Sequence, residues 1–268
     1  MTIRKAYIDA HDGQIHYRYA DAATPGRPLV FLHQTASSSA MFQAVMERLD
    51  GSVRMLAFDT PGFGASYRPP VKPDVTYYVN ALLQAIDALG IRDFDLFGHH
   101  TGAAIACQMA ADHPDRVHRM GMIGPVQLTQ ADRDLWKGTA IHPMTYTPGG
   151  EHLQWTWNRV TNLDSQPIAY PASPALATRE AIDTLIAGDR WHEAYEAVFG
   201  QDFPACLARV RCPILMVCGD GDVLYPYFKA ACDARPDARA VHMKSGAYVL
   251  DQDPDGMARV LRDFFTIA

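Results

Sequence analysis

The chain has 268 residues, 48% of them hydrophobic and 20% charged, with a formal net charge of −6. That length suits one large domain or a domain with an insertion, and a core of this size needs neither disulfide nor metal to hold it. The acidic balance argues against nucleic acid or an anionic membrane surface as a partner. The five cysteines, Cys107, Cys206, Cys212, Cys218 and Cys232, form no Cys-X-X-Cys pair. They read as free thiols in a reducing compartment. Met1 to Lys5 lacks the apolar stretch of a signal peptide, and no run approaches the ~20 apolar residues of a membrane span. The expectation is a cytoplasmic protein with no membrane partner, for which a homodimer is an allowed assembly.

Lys5 to Ala10 and Gln14 to Ala20 alternate as two strands around His11-Asp12-Gly13. Leu29 to Leu32 is continuously apolar, as in a strand buried on both faces. Ala40 to Leu49 is expected as a helix opened by a serine cap, and Val53 to Phe58 as the next buried strand. Tyr77 to Leu89 has helical apolar spacing and stops at Gly90. Phe94 to Phe97 is a short strand, and Ala103 to Ala111 is rich in small helix formers. Val117 to Ile123 is a further strand. From about Val126 to Pro204 the composition changes: all four tryptophans fall there, in short helical pieces broken by prolines. The strand pattern resumes at Pro213 to Cys218. A helix from Tyr225 to Asp233, a last strand from Ala238 to Met243 and a terminal helix begun by Asp253-Pro254-Asp255 and running to about Phe265 complete the chain. Strands alternating with helices imply a mostly parallel sheet covered on both sides, with its site beyond the carboxyl ends of the strands.

Phe97-Gly98-His99-His100-Thr101-Gly102 joins a strand to a helix. Gly98 permits a sharp turn, and Gly102 permits close packing of the helix on the strand. This stretch resembles the nucleophile elbow of the α/β-hydrolase superfamily, Gly-X-nucleophile-X-Gly. Asp59-Thr60-Pro61-Gly62-Phe63-Gly64-Ala65-Ser66 is similar to a second turn of that family. The resemblance covers nearly the whole chain. It implies an α/β fold with a mostly parallel eight-stranded sheet flanked by helices, a core of residues 1–125 and 205–268, and a helical cap over residues 126–204. The family usually places Ser, Asp or Cys at the centre of the elbow; this chain places His100 there.

By the same resemblance, the acid of the usual triad falls at Asp222 in Gly219-Asp220-Gly221-Asp222, with Asp220 as the alternative register. The late histidine position holds Ala247, and His242 lies too early, inside the predicted last strand. The ordinary serine and histidine are both absent. Replacing serine by histidine adds an imidazole at the elbow, and alanine at position 247 leaves room for one. The expectation is a relocated imidazole: His100 leans toward Asp222, which fixes its tautomer and supports it as a general base.

The family's oxyanion donors map to the backbone N–H groups of Thr35 and Thr101. His33 matches a family loop histidine and reads more as a loop organiser than a catalyst. His33, Gln34, His99, His152, Trp155 and Tyr248 are the candidate substrate contacts, His152 and Trp155 because they share a helix face. Adjacent histidines on a turn are expected to point apart, so no metal site is assigned. Gly219 to Asp222 is too short for a calcium loop, and no Gly-X-Gly-X-X-Gly follows a strand. No cofactor is expected. The reading is a cofactor-independent enzyme that cleaves a small carbonyl compound, aromatic by mild preference, through hydrolysis or lyase chemistry. The competing reading is a non-catalytic small-molecule binder on a degenerate hydrolase site.

Overall fold

A computed structural model describes residues 2–23, 26–49, 51–161 and 169–267. The strands are β1 (Arg4–Ala10), β2 (Gly13–Ala20), β3 (Leu29–Leu32), β4 (Met55–Phe58), β5 (Phe94–His99), β6 (Val117–Ile123), β7 (Ile214–Gly221) and β8 (Arg239–Gly246). They form one sheet in the order β1-β2-β4-β3-β5-β6-β7-β8. Only β2 runs against its neighbours; every pair from β4 to β8 is parallel. The order turns outward from β3 in both directions, so the loops after β3 and β5 face each other at the centre of the carboxyl edge. A sheet of this kind presents its crevice there.

The helices are α1 (Gln43–Arg48), α2 (Val75–Ala88), α3 (Thr101–Asp112), α4 (Gln130–Ala140), α5 (Glu151–Thr161), α6 (Pro174–Ala187), α7 (Glu193–Gly200), α8 (Phe203–Arg209), α9 (Tyr225–Ala234), α10 (Val249–Gln252) and α11 (Pro254–Phe265). The central strands feed both faces of the sheet by simple alternation. Val30, Leu32 and Leu96 pack into the core under α2 and α3, while Leu29, Phe31 and Phe97 pack into the core under α1 and α11. This is why β3 reads as an unbroken apolar run although its side chains still alternate.

One predicted helix shortens. The segment expected as Ala40 to Leu49 begins instead as a single tight turn, Ser39–Phe42, with the Ser38 hydroxyl accepting from the Ala40 amide. Regular helix starts only at Gln43. The Asp59 carboxylate claims the Ser39 amide at 2.7 Å, which holds this turn on the sheet edge.

Helices α4 to α8 fall between β6 and β7. This insertion is tied to the core by polar contacts. Ser38 Oγ donates to Asp183 Oδ2 at 2.8 Å, Ser37 Oγ donates to Glu180 Oε1 at 3.2 Å, and Arg179 pairs with Asp251 at 2.7 Å. No described helix is long and apolar enough to cross a membrane.

Candidate active site

The turn from β5 into α3 is dictated by what its glycines prevent. A Cβ on Gly98 would stand 2.1 Å from the Gly102 carbonyl oxygen, and one on Gly102 would stand 2.0 Å from that of Leu32. Between them His100 sits at φ 47°, ψ −104°, outside the helical region that begins at the next residue. A non-glycine residue at positive φ is strained. Its own amide is secured by donation to the Ile123 carbonyl at 3.0 Å. The strain carries the imidazole off the strand end toward the loop after β7.

There it meets Asp222. His100 Nε2 lies 2.9 Å from Oδ2 and 3.0 Å from Oδ1. The Asp222 side chain is fully buried, whereas that of His100 is 15% exposed. Asp222 Oδ1 also accepts from the Leu224 amide at 2.8 Å. Burial by itself would raise the Asp222 carboxyl; the charge and hydrogen bond of His100, with smaller help from His99 and the Leu224 amide, hold it below the ordinary carboxylate value. An ionised Asp222 only accepts, so Nε2 carries the hydrogen it shares. Nδ1 is therefore the basic nitrogen of the neutral ring. It has no hydrogen-bond partner among the described residues and is not one of the sealed, unpartnered polar atoms, so it is open.

Thr35 and Thr101 are drawn together. Their hydroxyls meet at 2.8 Å, and neither backbone N–H is taken by another group among the described residues. The loop after β3 is held from below by His33. Its Nε2 accepts from the Thr60 amide at 2.9 Å, which leaves Nδ1–H to donate to the Gln34 carbonyl at 2.8 Å. Burial first of all keeps the His33 pKa below its usual value, so the ring is neutral and its tautomer set.

Above this edge lies a cavity of about 750 Å³. Gly221, Val223, Gly246 and Ala247 bring the loops on either side of Asp222 and at the vacated histidine position to its wall. Trp136, Trp155, Trp191, Tyr195 and Tyr248 supply aromatic surface. Trp155, Tyr248 and Ala247 all lie on its wall.

Four expected substrate contacts are corrected. His33 has both ring nitrogens spent on backbone and is 1% exposed, so it clamps the loop. Gln34 is 6% exposed and does not line the cavity, and its backbone carbonyl accepts from the Ser37 amide at 3.0 Å. His99 is fully buried beneath the elbow, because consecutive residues of β5 alternate faces and the turn comes only after it. His152 faces a separate side pocket of about 220 Å³, where its ring meets Tyr146 edge-on at 5.4 Å. Helical spacing put His152 beside Trp155, but only Trp155 reaches the main cavity. Asp220, the alternative acid, is exposed and accepts from Tyr170 OH at 3.2 Å. His242 lies on β8 against the Phe228 ring at 4.9 Å, away from the elbow.

The expectation that adjacent histidines point apart also fails. The His99 and His100 rings are 4.4 Å apart, and one nitrogen of each ring and one Asp222 carboxylate oxygen lie within 4.8 Å of one another. The positive φ at His100 folds its ring back over its neighbour. Burial, then the nearby His100, holds the His99 pKa well below its usual value, so this ring is neutral. Both of its nitrogens lack partners among the described residues.

Sequence reasoning also missed Arg159, Trp191 and Tyr195 on the cavity wall. The available signal was Arg159 four residues after Trp155, one helical turn along the same face.

A family model described as alpha/beta hydrolase fold matches residues 27–242. A relative named "Putative carbamate hydrolase RutD", from Klebsiella pneumoniae subsp. pneumoniae, is 25% identical over 91% of this chain and 93% of its own length. The pimeloyl-[acyl-carrier protein] methyl ester esterase of Neisseria meningitidis serogroup B is 25% identical over 75% of this chain and 76% of its own. Among solved structures, the enol-lactonase from Burkholderia xenovorans LB400 superposes with a TM-score of 0.79 at 18% identity, covering 97% of this chain and 100% of that one.

Proposed function

This chain belongs to the alpha/beta hydrolase fold family, and from that premise we propose that it is a cofactor-independent enzyme that cleaves a small carbonyl compound with His100 as general base. The observation that carries this reading is the pairing of His100 Nε2 with buried Asp222 while Nδ1 stays open. Helices α4 to α8 act as the cap that closes the substrate cavity. The relatives named above as an ester and a carbamate hydrolase support carbonyl cleavage as the reaction class.

In the hydrolytic form, His100 Nδ1 takes a proton from water, and the hydroxide adds to the substrate carbonyl carbon. The oxygen that becomes negative is received by the Thr35 and Thr101 amides, donors of a kind that contribute about 10²–10³ in rate. The intermediate collapses as Nδ1–H returns its proton to the leaving group. Asp222 keeps Nε2–H in place and offsets the imidazolium that exists between the two transfers. In the lyase-type form the same nitrogen takes a proton from a substrate hydroxyl, whose electrons form a carbonyl as the neighbouring carbon–carbon bond breaks. The electrons of that bond pass into a second substrate carbonyl as an enolate received by the Thr35 and Thr101 amides, and Nδ1–H then returns the proton to the enolate carbon. No protein hydroxyl at the elbow takes part in either, so a covalent serine adduct is not formed.

The test is a carbonyl panel assayed with the wild type, His100→Ala, His100→Ser and Asp222→Asn. Turnover lost by about 10²–10⁴ in His100→Ala, reduced in Asp222→Asn and not restored in His100→Ser supports the base. Activity retained in His100→Ser, or labelling of the wild type by a fluorophosphonate on serine, overturns it. Tight ligand binding with no turnover across the panel favours the binder.

A further inference from the structure

The wall of the cavity of about 750 Å³ includes a cation that no described residue balances. Arg159, on α5, lays its guanidinium over the Trp191 ring, 4.1 Å from the centroid. Nη1 donates to Thr184 Oγ1 at 3.3 Å, and Nη2 donates to Tyr195 OH at 3.4 Å. All three partners are neutral. No carboxylate of the described residues lines this cavity or bonds to Arg159. Arg179, on the neighbouring helix, shows the opposite arrangement, with Asp251 at 2.7 Å and Glu180 at 2.7 Å.

A half-buried charge without a counterion is costly to keep. The side chain is nonetheless held in one orientation, by stacking and by two long hydrogen bonds. Its Nε has no partner among the described residues and is not one of the sealed, unpartnered polar atoms, so it is open. A planar guanidinium fixed by one face leaves its edge for a bidentate acceptor.

Its position bears on the chemistry. The Tyr195 hydroxyl that accepts from Arg159 donates onward to the Thr35 carbonyl at 3.3 Å. Two hydrogen bonds therefore separate the guanidinium from the loop that carries a proposed oxyanion donor. Trp136, Trp155, Trp191 and Tyr248 give the cavity flat apolar walls; His100, Thr35 and Thr101 are not among its lining residues. Aromatic walls with one convergent charge suit a flat organic body with one anionic end. A single guanidinium matches a monoanion better than a dianionic phosphate.

We propose that Arg159 is the substrate-binding residue for a carboxylate, so that the substrate is a flat, aromatic or conjugated carbonyl compound bearing a carboxylate. This deepens the carbonyl-cleavage reading and rests on it for the reaction, but the binding step is tested separately. Calorimetry on the full chain compares 2-naphthoate with its neutral isostere 2-naphthamide. Wild type binds the naphthoate at least about tenfold more tightly, the size of a charge-assisted contact. Arg159→Gln removes that preference and leaves naphthamide binding unchanged, which also shows that the variant is folded. Arg159→Lys, the second variant should the glutamine form not fold, keeps part of the preference because a point charge lacks the fork. Equal binding of the two probes by wild type, no binding of either, or a preference that survives in Arg159→Gln overturns the proposal. His100→Ala separates it from the catalytic reading. Its naphthoate affinity stays within about twofold of wild type while turnover falls. If turnover survives His100→Ala and the naphthoate preference stands, the base reading fails alone. If turnover is lost and the preference is absent, the carboxylate site fails alone.

Discussion

Among the described residues two histidine–aspartate pairs with a buried carboxylate have nearly equal length, and they do different things. His16 Nδ1 lies 2.8 Å from Asp59 Oδ2, and His100 Nε2 lies 2.9 Å from Asp222 Oδ2. Asp59 also accepts from the Ser39 amide at 2.7 Å and the Ala65 amide at 2.8 Å. Its carboxylate is spent on joining two loops to a strand. Asp222 accepts from one backbone amide besides the imidazole. His16 sits within β2, at the antiparallel side of the sheet, with the Tyr7 ring edge-on at 5.2 Å. His100 sits on a strained turn at the carboxyl edge, with two unclaimed amides nearby. The pairing alone does not mark a site; the backbone that presents it does.

The comparison breaks most severely if the elbow tolerates a side chain where none fits. Gly102→Ala places a Cβ 2.0 Å from the Leu32 carbonyl. The expected outcome is loss of folded protein, a cost above about 4 kcal/mol, read as soluble yield and circular dichroism. His100→Ala is expected to remove turnover by roughly 10²–10⁴ while the melting temperature changes little. His16→Ala should do the reverse. It leaves the buried Asp59 short of a partner, costs roughly 1–3 kcal/mol of stability by denaturant titration, and retains activity per folded molecule.

A chelator sharpens the same contrast. Turnover is expected to survive prolonged treatment with ethylenediaminetetraacetate. Loss that a divalent ion restores would assign the His99, His100 and Asp222 cluster to a cation and replace the base reading.

The smallest effects come from pH. Burial would raise the Asp59 carboxyl, but His16, then His33, Ser39 and Ala65, bring it from 3.8 down to about 2. Its folded value is depressed, so its contribution of about 2 kcal/mol is present above pH ~4 and lost as pH falls toward 2. Asp59→Asn should flatten acid unfolding in that window. Asp183 is the opposite case: burial, only partly offset by the Ser38 hydrogen bond, pushes its carboxyl from 3.8 up to about 7. The folded state holds a proton there that the unfolded state has released. Stability from this group is complete below pH ~4 and declines as pH rises to about 7. Melting temperatures of the wild type relative to Asp183→Asn should therefore converge or reverse as the pH is raised through that range.

The sheet, the elbow and the family were legible because each depends on local chemistry. Unbroken apolar tetrads such as Leu29 to Leu32 mark buried strands, and Gly98 and Gly102 mark a turn that excludes Cβ atoms. His100 and Asp222 were legible as a pair because their places follow from strand ends. The cavity lining was not. His152 and Trp155 share a helix face by spacing, yet only the packing of the whole insertion decides which of them reaches the main cavity. The tight turn that begins the Ala40 segment was hidden for a related reason, since its hydrogen-bond partner, Asp59, lies twenty residues away.

The sequence by itself thus determined the sheet, the position of the strained turn and the absence of a serine at its centre. Periodicity and steric exclusion act between near neighbours and need no further context. Only the tertiary structure decided that the two adjacent rings fold together, that Nδ1 rather than Nε2 is left open, and that Arg159 enters the cavity without a counterion among the described residues. Each of those depends on distances between segments far apart in the chain, which local preference does not encode.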